Sequence, residues 1–217
     1  MRKSGKHASH FLAGAPAPRR TFIRDTGLGL LAFVAGGREW LLTPAAARAA
    51  DVPLRVLHAP QARTLEAFGE TLVPGSAAAG LAHFIDHQLA AAPGEQMLMI
   101  RYLGVEAPYT PFYAGGLQAL GGAASAFHGA PFHGLEDSQR VALTRQLAQA
   151  NPKGWPDGWP NSGPDGWPDS LNAPPAPLFY FVLRSDAVDV VYGTKEGVER
   201  LGLPYMAHIE PPSRWGE

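Results

Sequence analysis

Two imidazoles four residues apart are the nearest approach to a reactive site. His83-Phe84-Ile85-Asp86-His87 sets both rings on one face of a helix, the spacing with which many zinc sites begin. A working site needs a third ligand, and His128, His133 and His208 stand in no recognisable ligand pattern. The pair therefore reads as solvent-facing, opposite an apolar stripe of Leu81, Phe84 and Ile85. Gly27-Leu28-Gly29-Leu30-Leu31-Ala32 matches G-x-G-x-x-A, but a pyrophosphate cradle needs a preceding strand, and Arg24-Asp25-Thr26 has no β-branched run. Glu136-Asp137 sits where a helix N-terminus attracts negative charge, and Arg101 reads as a surface cation whose stem lies on apolar neighbours. There is no G-x-S-x-G, P-loop or H-E-x-x-H, and with no cysteine there is no thiolate nucleophile, disulfide or iron–sulfur cluster. No residue is assigned a catalytic or metal-binding role.

Such residues need elements to hold them, and charge divides the chain before any element is drawn. Among 217 residues only 17% are charged and 46% are apolar, which argues against a disordered chain. Residues 1–50 carry a net charge of +6 and residues 51–217 a net charge of −7. The basic part contains Arg19-Arg20-Thr21-Phe22-Ile23, a twin-arginine pair with apolar residues behind it, and then twelve uncharged residues from Thr26 to Gly37. That stretch is short of the ~20 apolar residues of a spanning helix. Beyond Arg38-Glu39, Ala45-Ala46-Ala47 and Ala47-Arg48-Ala49 both fit the small-x-small exit of a signal peptidase. Residues 1–50 are therefore expected to be a twin-arginine signal segment, with Arg19, Arg20, Phe22 and Ile23 as its recognition residues, on a body spanning 51–217. Arg38 and Glu39 fit it poorly, since charge beside the apolar stretch weakens insertion. Cargo of this pathway crosses folded, which suits a protein that takes up a cofactor first, yet the body shows no cofactor motif.

The body reads as all-α, a single irregular helical domain with long loops. Helical spacing places Leu65, Phe68, Leu72 and Val73 on one stripe from Pro60, with Pro74-Gly75 closing it. Ser76 can cap a second helix through Leu89, a third is expected over Glu95–Leu103, and others over Phe112–Phe127 and Leu135–Ala150. Gly115-Gly116 and Gly121-Gly122 would let another helix or chain approach closely. Phe179, Val182, Leu183, Asp186 and Val190 favour a last helix ending at Gly193.

Residues 151–177 break the pattern. Pro156-Asp157-Gly158-Trp159-Pro160 recurs as Pro164-Asp165-Gly166-Trp167-Pro168, turn chemistry in which no regular element persists. Its tryptophans read either as anchors on a partner or as rings packed on their own domain.

Thr71-Leu72-Val73-Pro74-Gly75-Ser76-Ala77-Ala78-Ala79-Gly80, followed by Phe84-Ile85-Asp86, resembles the "lIP…aGa…fID" segment of the gluconate 2-dehydrogenase subunit 3 family. Arg101-Tyr102-Leu103-Gly104, the Phe132-Leu135-Gln139-Leu143 spacing, and Val191-Tyr192-Gly193 with Gly202-Leu203-Pro204-Tyr205 are similar too. The resemblance implies the small subunit of a membrane-bound, FAD-dependent sugar, polyol or sugar-acid dehydrogenase. Such a subunit escorts the flavin-bearing large subunit, which has no signal of its own, into the periplasm. The resemblance also implies FAD in that partner and, in some complexes, haem c in a multihaem cytochrome subunit. Tyr192-Gly193-Thr194-Lys195-Glu196-Gly197 departs from the family's "YGGN", which leaves the substrate open. Expected partner contacts are Tyr109, Phe112, Tyr113, Trp155, Trp159, Trp167, Tyr205 and Trp215. Two other readings compete: a free-standing periplasmic metalloprotein using His83 and His87, and a sugar-binding module whose tryptophans stack on the ligand.

Overall fold

Residues 30–35, 37–156 and 174–203 are described by the computed structural model. The first elements differ from expectation. Leu31–Ala35 (β1) and Arg38–Leu42 (β2) pair antiparallel as a hairpin, with Phe33 opposite Trp40 and Leu31 opposite Leu42. Pro44–Ala49 follows as a short helix, α1, because Thr43 caps it through a 3.1 Å bond from Ala46 N and Pro44 presets its first turn. The fold is thus mostly helical with a two-stranded sheet, not purely helical. Residues 31–35 and 37–50, expected to belong to the signal segment, lie folded against the body.

The helices of the body come largely where periodicity placed them. They are Ala59–Leu72 (α2), Leu81–Ala90 (α3), Met99–Tyr102 (α4), Thr110–His128 (α5), Asp137–Leu147 (α6), Ala176–Tyr192 (α7) and Lys195–Arg200 (α8). Two boundaries differ. Ser76 caps nothing: it is buried in a run of turns, and α3 starts only after Gly80, whose φ of 85° is left-handed. The helix expected over Glu95–Leu103 shrinks to a 3₁₀ turn, Pro93–Glu95, and the single turn of α4. Between them the chain is extended because side chains take its donors: Gln88 Oε1 accepts from Met97 N at 2.7 Å, and Asp186 Oδ1 from Met99 N at 2.8 Å.

Phe179 of α7 stands at the centre of the core. Its ring stacks parallel to Phe68 at 5.8 Å, and Phe112 and Trp155 lie 5.8 and 6.0 Å away. Phe132, in a 3₁₀ turn before α6, meets Phe68 edge-on at 5.6 Å. The glycines of α5 make this possible. A Cβ on Gly116 would overlap the Phe179 ring, and one on Gly122 would meet the carbonyl of Gly154 at 2.9 Å. Among the described residues no helix is long and apolar enough to cross a membrane.

Candidate functional site

α3 carries His83, Asp86, His87 and Gln88 on a helix whose other residues are mostly apolar, so no face of it is free of a neighbour. Asp86 is the clearest case. Its Oδ1 accepts from Val56 N and Leu57 N, and its Oδ2 from Arg55 N, all at 2.8 Å. One carboxylate therefore holds three consecutive backbone donors of the strap between α1 and α2, donors that no helix or sheet satisfies. His83 Nε2 lies 3.0 Å from Val52 O and fixes the start of the same strap.

The two histidines are not solvent-facing, which corrects the expectation from sequence. The hairpin lays Phe33 over them, its ring centre 5.2 Å from that of His87 and 6.4 Å from that of His83. The cause is that β1 and α1 pack on this face of α3, which periodicity within α3 alone left open. Desolvation lowers the His87 pKa below its ordinary value; Ala32 backbone opposes that, Arg55 adds to it, and Asp86 opposes it. Among the described residues no group of three or more His, Cys, Asp or Glu is placed to hold a metal ion. The pair's geometry is that of a packed imidazole face.

A second buried carboxylate, Asp186 of α7, has no exposure to water. Tyr113 donates to its Oδ2 at 2.6 Å and Met99 N to its Oδ1. Burial raises the Asp186 pKa to about 7, against the lowering effect of those two bonds and with a further rise from Asp189. Burial also pushes Tyr113 well above the ordinary tyrosine value, and the Asp186 charge pushes it the same way. Asp186 ties α4, α5 and α7 together through these two bonds.

Of the expected partner contacts, Tyr109, Phe112, Tyr113 and Trp155 are corrected: all four are buried within the fold. Tyr109 precedes a helix that begins at Thr110, so the Pro-flanked aromatics that resemble an exposed loop enter the core as its first turns; Tyr109 also donates to Val105 O at 3.1 Å. Trp155 packs on Phe179 and donates from Nε1 to Pro174 O at 2.9 Å. With Ala176 N donating to Asn151 Oδ1 at 2.8 Å, this bond closes a neck at the base of the Trp-Pro-Asp-Gly insert. Trp159, Trp167, Tyr205 and Trp215 lie outside the described residues, as do Arg19, Arg20, Phe22 and Ile23.

An open groove of about 610 Å³ between α2 and α6 holds charges of both signs, most of them already engaged. Glu66 pairs with Arg48 at 2.8 Å, Asp137 pairs with Arg140, and Glu70 accepts from Gly75 N and Ala77 N at 2.8 and 3.2 Å. His133 Nδ1 lies 3.2 Å from Thr64 Oγ1. The groove brings together no nucleophile, base and oxyanion donor in the arrangement that acyl or phosphoryl transfer requires.

The quoted segments also acquire physical roles. Gly75, with φ of 90°, and Gly80 turn the chain between α2 and α3, and Arg101 Nη1 donates to Gln96 O at 2.7 Å. In the departing stretch Gly193 ends α7, Thr194 caps α8 through a 3.1 Å bond from Gly197 N, and a Cβ on Gly197 would overlap the Val191 carbonyl. Sequence reasoning missed Asp86 and Asp186 because each bonds backbone far away in the chain. The available signal was the helical spacing itself, which sets Asp86 in line with Ala82 and Leu89 and Asp186 in line with Val182 and Val190, on the apolar stripes of α3 and α7.

Residues 59–208 match the family model described as Gluconate 2-dehydrogenase subunit 3. No curated protein and no solved structure matches the chain.

Proposed function

The chain belongs to the gluconate 2-dehydrogenase subunit 3 family, and on that premise we propose that it is the non-catalytic small subunit of a periplasmic, FAD-dependent dehydrogenase acting on a sugar, polyol or sugar acid. A family of dehydrogenase subunits implies a catalytic partner subunit. The proposal assigns FAD to that partner, haem c to a cytochrome subunit where one is present, and to this chain the roles of export escort and stabiliser. The match over residues 59–208 carries the reading. The engagement of the buried polar groups supports it: Asp86, Gln88 and Asp186 hold backbone donors and thus serve the shape of the subunit. Tyr102, 68% exposed, and Phe181, 45% exposed, leave apolar surface of the kind a partner covers.

Co-expression with the flavoprotein tests the proposal. Tagged full-length chain should bring the large subunit and its flavin absorbance with it, and replacing Arg19 and Arg20 by Lys should leave both subunits in the cytoplasm. Periplasmic dehydrogenase activity that survives the double substitution would defeat the escort role. Sugar oxidation by the purified chain alone would defeat the non-catalytic one.

A further inference from the structure

The alanine-rich stretch that looks like a processing site is part of the folded body. Ala47 has no exposure, and with Phe33 and Val52 it forms a small apolar cluster of its own beside α3. Its amide donates to Thr43 O at 2.9 Å, and its carbonyl accepts from Val52 N at 3.0 Å. One residue on, Arg48 Nε holds Glu66 of α2 at 2.8 Å. The start of α1 also touches α3 backbone to backbone, since a Cβ on Gly80 would overlap the Pro44 carbonyl and meet Ala45 N at 2.7 Å. Phe33 closes the assembly over His83 and His87.

A signal peptidase binds its substrate extended, with the small residues seated in its own pockets. To be cut after Ala47 or Ala49, α1 would have to unwind and Ala47 leave its cluster. That release would give up the Thr43, Val52 and Glu66 bonds and uncover the rings of His83 and His87. Cargo that crosses a membrane folded meets the peptidase with these contacts already made.

We infer that residues 31–35 and 37–50 are a permanent clamp on α3 and the strap 52–57, so that any export processing cuts before Leu31 and leaves Ala45–Ala50 intact. The processing half rests on the export reading above; the clamp itself does not.

Two measurements on the full-length, C-terminally tagged chain separate them. Intact mass of the periplasmic chain should include residues 31–50; a chain beginning at Arg48 or Ala50 would overturn the inference. If no chain reaches the periplasm, the export reading fails and the clamp is decided by elastase, which shares the preference for small residues. In the purified chain the bonds after Ala45, Ala46, Ala47 and Ala49 should resist cleavage, and Phe33→Ala should open them roughly tenfold faster, while Phe33→Leu stays close to the parent. Cleavage of the parent as fast as in urea, or a Phe33→Ala chain no more open than the parent, would overturn the clamp.

Discussion

The Tyr113 hydroxyl donates to Asp186 Oδ2 at 2.6 Å, joining α5 to α7 through a carboxyl group with no exposure. Burial raises that carboxyl to about 7 from an ordinary 3.8. The native state therefore keeps a proton that the unfolded chain releases between those values. The resulting stability is complete below the unfolded value, declines as pH rises, and is lost once pH passes about 7. Asp186→Asn should remove this dependence. In urea titrations the parent should gain about 2 kcal/mol over the variant between roughly pH 7.5 and roughly pH 5.5. His87, whose pKa is lowered, acts oppositely on both proteins and cancels in the comparison.

Two glycines of α5, Gly116 and Gly121, should respond to one substitution with opposite signs. Gly116→Ala drives a methyl into the Phe179 ring, while Gly121 has nothing within 4 Å of an added Cβ. Thermal melts should show Gly116→Ala destabilised by about 1–3 kcal/mol through overpacking. Gly121→Ala should gain about 0.5–1 kcal/mol from the reduced freedom of the unfolded helix.

The same contrast explains what could be read in advance. Leu65 with Phe68, and Phe179 with Val182 and Leu183, recur at helical spacing and are buried, because a core stripe is a local pattern. The small residues of α5 announced a close approach, which is made by Phe179 and the Gly154 carbonyl. The hairpin was hidden because Leu31–Ala35 has no polar residue in alternation, so its run fits an export segment as well as a strand. The bonds of Asp86 and the cover over the histidines have no local pattern for a related reason: their partners, Arg55–Leu57, Val52 and Phe33, lie some thirty residues or more away.

Asp86 should be a stability residue with a local signature. Asp86→Ala leaves three backbone donors without their acceptor, an expected loss of about 3–5 kcal/mol. Asp86→Asn keeps an oxygen for Val56 and Leu57 and sets an amide against Arg55 N, so it should lose about half as much. Hydrogen exchange should accelerate first at Arg55, Val56 and Leu57; unchanged protection there would refute the role.

His87 reports on the hairpin. Phe33 covers its ring, and desolvation is the leading cause of its lowered pKa. Phe33→Ala admits water, so a side-chain NMR titration should place His87 closer to its ordinary value of 6.5 in the variant than in the parent. Because a histidine with a lowered pKa costs stability as pH falls below that value, the parent should lose hairpin contacts on acidification more steeply than the variant. Identical titration curves would mean that Phe33 is not what dries the ring.

The insert should be separable from the fold that carries it. Trp155 Nε1 bound to Pro174 O and Ala176 N bound to Asn151 Oδ1 hold its two ends together from within the core. Replacing residues 157–173 by a short Gly-Ser turn therefore spans a gap that is already closed, and the loop-closure term changes by only about 1 kcal/mol. The melting temperature should move by a few degrees at most. If Trp159 and Trp167 anchor the flavoprotein, the excised chain should keep its melt and bring down less of the large subunit on co-expression. Trp155→Ala should do the reverse at the level of the fold, losing about 3–5 kcal/mol because its ring lies against Phe179 and its N–H closes the neck. An excised chain that melts as far below the parent as Trp155→Ala would show the insert to be part of the core, and recovery of the large subunit at the parent's level would remove its tryptophans from the interface.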